Sequence, residues 1–399
     1  MLTQSLPDTV HVVYVARGGA VWSGATGSLV QSVHRATANV RHAAGAACAP
    51  RLRFHVLTEG ASYADVRNAS DLLGEGVRVH ESSDATLLAR LSPLGRAYLR
   101  HPLLRGKAHL YTAPKLFAYE LLPRSVDRAI MLDFDQLVLR PLCELHDAFG
   151  SALARPGREL VVVGYAHEQQ NEYAIRHGIS HGATSNGGVA VHELRRMRVQ
   201  GGYAELLRKA LATGLGELGP DAGLGDQSVL TLAAARWPAE WASLAETLPC
   251  EWNWQACLFW YYRVLHHPMY LHLRRAPKPG GLNASAARQC ARPPKILHVN
   301  CMDKAALVTA LLAHALRAAE RGDCDALSRP ALVALLDRQL RTAHAPKELV
   351  LDASRLCALT APLLPERRVC NASFLLHHYV PWAPPEGCRD PESSREVTQ

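Results

Sequence analysis

The sequence predicts an α/β protein built on a mixed, mainly parallel sheet flanked by helices, followed by a C-terminal helical extension. Three observations carry this. Apolar runs of strand length alternate with helical stretches from residue 10 to about 305. One of the most apolar of these, Arg128 to Leu132, runs straight into the acidic pair Asp133-Phe-Asp135. Beyond residue 305 the strand signals stop, and Ala305–Arg321 and Pro330–Arg341 read as amphipathic helices.

In chain order, His11–Ala16 is the first strand, and Gly18-Gly19 follow it. A helix is expected from about Gly24 to Val40, then strands at Leu52–Leu57 and Val77–His80. Lys115–Leu122 reads as a helix that opens at Lys115 and is ended by Pro123. Leu160–Val163 and Gly187–Val191 have strand character, while Gly202–Leu211 and Gln227–Ala235 look helical. Lys295–Val299 is expected to be the last strand of the sheet. A boundary near residue 305 therefore separates a domain over 10–305 from an extension and loose tail over 306–399.

The bulk composition narrows the classes. The 399 residues carry a net charge of +8 and 48% hydrophobic residues, enough for a sizeable core. The basic residues form no long run and accompany no nucleic-acid-binding signature, so no nucleic-acid partner is expected. No apolar stretch is long enough to span a bilayer and no signal peptide opens the chain, so membrane attachment would need an anchor absent from this sequence. Ten cysteines and three Asn-Ala-Ser triplets, at Asn68, Asn283 and Asn371, point to an oxidising lumen; their pairing is not readable from spacing.

Five elements carry chemistry. Asp133 and Asp135, two apart on a strand, share a face, and at a strand end that face looks into the ligand crevice of an open sheet. Paired carboxylates there suit a divalent cation that in turn holds a diphosphate. The triplet alone is common by composition, and a second copy, Asp323-Cys-Asp325, stands outside any strand context. His298, delivered by an apolar strand, adds an imidazole that favours Mn²⁺ over Mg²⁺, and Lys304 follows six residues later. Gly225-Asp226-Gln227 stands at a helix start and Ser185-Asn186-Gly187-Gly188 before a strand. Read singly, Asp226 is an N-cap, Asn186 an ordinary turn residue, His298 a core histidine and Lys115 a solvated one.

Taken in order, these elements resemble glycosyltransferase family 8, which has the GT-A nucleotide-diphospho-sugar transferase fold. The resemblance rests on Tyr111-Thr-Ala-Pro-Lys115-Leu, Ile130-Met-Leu-Asp133-Phe-Asp135-Gln-Leu-Val-Leu, Leu142-Cys-Glu-Leu145, Ser185-Asn186-Gly187-Gly188-Val, Asp226-Gln227 and His298-x-x-Cys301-x-x-Lys304. Leu248-Pro-Cys250-Glu-Trp252-Asn253 and Leu194-Arg-Arg-Met197-Arg198 are similar to the LARGE-like and glucoside xylosyltransferase branch. The resemblance spans about residues 10 to 305 and implies a metal-dependent, retaining transfer from a UDP-sugar, xylose first and glucose or galactose next, to a glycan or glycoconjugate in the Golgi or ER lumen. It implies Asp133, Asp135 and His298 as ligands of Mn²⁺, with Mg²⁺ the alternative ion. Val15, Ala16, Arg17, Lys115, Phe134 and Lys304 would hold the nucleotide and diphosphate, and Asn186, Asp226 and Gln227 the sugar. Cys301 stands where the family has Gly, and Gly187 where it has Ser or Ala. The alternative reading is a catalytically inactive relative that binds glycans or acts as a scaffold. A phosphodiester hydrolase would need two metals, and only one carboxylate pair sits at a strand end.

Overall fold

The computed structural model describes residues 9–16, 29–69, 73–104, 107–134, 136–167, 185–215, 225–255 and 295–298. The expected extension over 306–399 and the boundary at 305 lie outside these residues. The elements that position the site are strands β1 (Val10–Ala16), β2 (Leu52–Thr58), β3 (Val77–Glu81), β4 (Arg128–Leu132), β5 (Gln136–Val138), β6 (Val163–His167), β7 (Ser185–Glu193), β8 (Ala245–Thr247), β9 (Trp254–Gln255) and β10 (Ile296–His298). Seven of them form one sheet in the order β3-β2-β1-β4-β7-β6-β8, and β5-β10-β9 form a second, small one. The pairs β3/β2, β2/β1, β1/β4 and β6/β8 are parallel, whereas β4/β7 and β7/β6 are antiparallel.

The sheet is buried on both faces, which is why its strands read as nearly continuous apolar runs. Period-two alternation divides them between two cores. Val10, Val12 and Tyr14 of β1 and Ile130 and Leu132 of β4 join one core, shared with helix α1 (Leu29–Cys48) and the helix Leu142–Leu153. Val13, Val15, Ala129 and Met131 join the other, which the remaining helices cover. A disulfide between Cys48 and Cys143, 95 residues apart, ties the end of α1 to the helix Leu142–Leu153. A loop of that length is worth about 4–5 kcal/mol in the chain-entropy account. Cys250 is also in a disulfide.

Three expectations are corrected. Lys115 does not open a helix: it lies in the last turn of Lys107–Leu116, and a separate short helix, Ala118–Leu121, follows. Pro114, which has no N–H to give the helix, is accommodated near its end, and the chain leaves helical geometry at Phe117. The apolar run at 160 is not the start of a strand. Leu160 is 53% exposed, and β6 begins three residues later at Val163. Finally, β10, expected as the last strand of the main sheet along the chain, joins the small sheet instead, as its middle strand. A three-residue apolar run states that a strand exists and not which sheet takes it.

One polar feature crosses the main sheet. His11 Nδ1 lies 2.9 Å from His55 Nε2, and His55 Nδ1 lies 2.9 Å from His80 Nε2, so three imidazoles link β1, β2 and β3. Each contact needs one N–H and one lone pair, so rings protonated in succession run out of lone pairs to accept. Burial lowers all three: His11 to about 4, with Arg78, His146 and Arg53 adding to it and Asp127 opposing; His55 to about 3, with His80, His11 and Arg78 adding; and His80 to about 4, with Arg90 and Arg78 adding. His146 and His192 are lowered by burial too. These groups bind protons in the unfolded chain below about pH 6.5 but not in the folded one, so their contribution is complete above 6.5 and lost as pH falls towards 4. Asp226, raised by burial, has the opposite sign over the same window but is a single group. Urea melts should therefore show a midpoint that is flat from pH 8 to 7 and falls between pH 6.5 and 4.5.

Candidate functional site

In sheet order, β1 has β2 on one side and β4 on the other, so the strand order reverses between β1 and β4. Such a switch point opens a crevice outside the carboxyl ends of the strands. Tyr14 is opposite Leu132, which sets Asp133 beside Val15 and Ala16 where both strands end. On its other side the Asp133 N–H donates to the Gly188 carbonyl at 3.1 Å. The sheet thus places the strand-end aspartate between β1 and the Asn186-Gly-Gly segment of β7.

Two carboxylates and one ammonium meet here. Lys115 Nζ is ion-paired with Asp133 Oδ1 and donates to the Gly187 carbonyl at 3.2 Å. Asp226 is 6% exposed, and its Oδ2 abuts Gly187, where an added Cβ would overlap it. Asp226 is not an N-cap. Gly225 holds that position with φ 67°, a left-handed conformation, and a Cβ there would meet the Thr112 side chain at 2.6 Å. Burial pushes the Asp226 carboxyl up to about 6; Lys115 pulls it down and Asp133 pushes it further up. Asp226 is ionised at neutral pH and close to its titration point.

A hydrogen-bond chain then fixes an imidazole. The backbone N–H of Gly188 donates to Asn186 Oδ1 at 2.9 Å. That oxygen also accepts from Asn253 Nδ2 at 2.7 Å, so the Asn253 amide is oriented with Oδ1 outward. Asn253 Oδ1 lies 3.0 Å from His298 Nδ1 and can only accept, so Nδ1 carries the proton and Nε2 the lone pair. All three side chains are buried, with His298 4% exposed. In the small sheet, β10 pairs β5 with His298 opposite Gln136, and pairs β9 with His298 opposite Gln255. Gly188 makes room for this corner. A Cβ on it would overlap the His298 ring and lie 2.8 Å from Gln136 Nε2.

Asp133, Lys115, Asn186, Asp226 and His298 are thus brought together, with Val15 and Ala16 at the adjoining strand end and Gln227 next to Asp226 in its helix. The Phe134 ring stacks on Tyr14, centroids 4.9 Å apart, within the core under α1. Arg17, Asp135 and Lys304 lie outside the described residues. Among the described residues no three His, Cys, Asp or Glu side chains form a metal-binding group. The donor types fit a divalent transition ion nonetheless: a carboxylate at the strand end and an imidazole whose lone pair its neighbours fix at Nε2. Sequence reasoning gave Asn253 no role. Its only signal was its place in Pro249-Cys250-Glu-Trp252-Asn253. The Gly187 departure also has a reason: the Asp226 carboxylate fills the space a side chain would take.

The sheet order, its switch point and the aspartate at the crevice define a GT-A nucleotide-sugar transferase fold. The solved structure of mouse xyloside xylosyltransferase 1 has this fold, with a TM-score of 0.53 and 22% identity over 74% of this chain and 98% of that one. The sequence of human xyloside xylosyltransferase 1 is 28% identical over 196 residues, 44% of this chain, and the match spans about half, 47%, of that protein's length. No protein-family model matches the sequence.

Gly188→Ala should destabilise the protein by about 1–3 kcal/mol, as overpacking against a stiff ring does. Denaturant melts would check it, and Gly157→Ala, with nothing within 4 Å of the added carbon but a φ of 80°, would report backbone strain alone.

Proposed function

We propose that the chain is a glycosyltransferase of family 8 that moves a sugar, xylose first, from a UDP-sugar to a glycan or glycoconjugate with retention of anomeric configuration. The observation that supports this most is the convergence on one crevice of Asp133, the fixed imidazole of His298 and the buried Asp226. The relative's name, xyloside xylosyltransferase 1, supports the choice of sugar. The Cys48–Cys143 disulfide supports an oxidising compartment, the Golgi or ER lumen.

In this reading Asp133, Asp135 and His298 hold Mn²⁺, which when bound offsets the charge that grows on the leaving UDP. Asn253 and Asn186 keep His298 in the tautomer that offers Nε2. Val15, Ala16 and Arg17 line the nucleotide, and Lys115 and Lys304 hold the diphosphate; Phe134, expected to join them, instead packs in the core against Tyr14, where its ring faces apolar neighbours. Asn186, Asp226 and Gln227 orient the sugar. Asp226, ionised above about pH 6, accepts hydrogen bonds from sugar hydroxyls and stabilises positive charge at the anomeric carbon. Among the described residues no stronger nucleophile is placed there, so in this reading the acceptor oxygen bonds to the anomeric carbon from the leaving-group side as the bond to UDP breaks, and the leaving phosphate takes the acceptor's proton.

Thermal shift against UDP-xylose, UDP-glucose, UDP-galactose and UDP-GlcNAc, with and without Mn²⁺, tests the class. A Mn²⁺-dependent rise with a UDP-sugar is expected, and no UDP response would refute the reading. Turnover without binding loss separates enzyme from scaffold, and an inverted product by NMR would remove retention. Asp135→Asn should abolish the Mn²⁺-dependent response at unchanged melting temperature. Asn253→Ala should weaken Mn²⁺ binding by about 10- to 100-fold. Asn253→Asp, which still accepts from Nδ1, should lose less in a direct Mn²⁺ titration.

A further inference from the structure

Gln136 has capacity that nothing in the fold uses. It follows Asp135 and opens β5, and in the small sheet it stands directly opposite His298. Its Oε1 and Nε2 are both buried, and among the described residues neither has a hydrogen-bond partner. Leaving a buried amide unsatisfied at both ends forfeits its hydration with nothing gained in return. The surroundings make the omission notable. Asn186 and Asn253, in the same corner, are hydrogen-bonded to one another, to Gly188 and to His298. Among the described residues of this corner, the Gln136 amide is left without a partner.

The place of the amide matters as much as its missing partners. No neighbour among the described residues holds it end for end, and it lies with Nε2 at the Gly188 and His298 corner, 2.8 Å from where a Gly188 Cβ would stand. An N–H donor has the wrong polarity to ligate a cation beside the imidazole. It has the right polarity for an oxygen of the anion such a cation carries. We propose that Gln136 is a donor-substrate contact, its Nε2 donating to an oxygen of the nucleotide diphosphate held at the Asp133–His298 corner. This rests on the reading of the site as a nucleotide-sugar site. It adds a residue outside both the acidic motif and the histidine motif. Gly188 is part of the arrangement, since a side chain there would occupy the approach of this amide.

The experiment uses the full chain, with UDP plus Mn²⁺ as the probe and Mn²⁺ alone as the control. Gln136→Leu replaces an unsatisfied buried amide by an apolar group of similar length. The melting temperature without ligand should hold or rise, while the affinity for UDP in Mn²⁺ should fall about tenfold or more, the loss expected of a hydrogen bond to a charged group. Gln136→Glu presents a carboxylate to the same anion and should weaken UDP binding further without weakening Mn²⁺ alone. A lower melting temperature with unchanged UDP affinity in Gln136→Leu would make Gln136 a structural residue and overturn the proposal. Tighter binding of both Mn²⁺ and UDP by Gln136→Glu would overturn it too, because the residue would then be a cation ligand through Oε1. If the unsubstituted protein shows no UDP response while Mn²⁺ is present, the reading of the site fails first and takes this contact with it. A UDP response that both variants keep in full sinks the contact alone.

Discussion

One backbone hydrogen bond sets the chemistry of the corner: the Gly188 N–H on Asn186 Oδ1. An amide side chain can usually be turned end for end, and an imidazole can hold its proton on either nitrogen. A main-chain N–H has no such freedom. Because it can only donate, Asn186 must face it with oxygen, Asn253 must meet that oxygen with nitrogen, and His298 must meet the remaining oxygen with N–H. Two reversible choices become fixed by a group that has none. The same residue supplies space as well as direction, since Gly188 has no Cβ to collide with the ring it orients.

The sheet explains why this corner lies where it does. Asp133 arrives at the crevice because β4 ends there in register with β1, and Gly188 arrives because β7 runs antiparallel to β4 with Val189 opposite Leu132. His298 comes from a different sheet and a distant part of the chain, opposite Gln136 of the strand that immediately follows the acidic motif. The short strand β5 therefore joins the two halves of the site. Its pairing with β10 makes the small sheet a device for holding an imidazole beside a strand-end carboxylate.

Much of this was legible in the sequence, and the limits have physical causes. Strands β1, β2, β4 and β7 were readable because strands buried on both faces leave largely apolar runs, and β3, at the edge, was readable from its alternating valines. The two- and three-residue strands β5, β8 and β9 left no such trace, since a run that short has no period. Local pattern also misplaced Lys115, because Pro114 is read as a breaker unless tertiary packing tolerates it. The residue types of the site were visible, but Asn253 was not: its function lies in hydrogen bonds to residues 45 and 67 positions away, which spacing does not encode. The histidine line across β1, β2 and β3 was hidden for the same reason, as strand order decides which histidines meet.

At the crevice two carboxylates share one ammonium. Lys115 is ion-paired with Asp133, and it is also the strongest influence holding the Asp226 carboxyl down against its burial. One ammonium thus serves both, while the Asp133 charge pushes the Asp226 carboxyl up. The Asn253 oxygen takes the N–H on Nδ1 of His298, so a neutral ring presents its lone pair at Nε2. An anion entering between Asp133 and Asp226 would meet two carboxylates, and Lys115 is the cation that the described residues set between them. The electrostatics of the crevice therefore turn on how that one ammonium is shared.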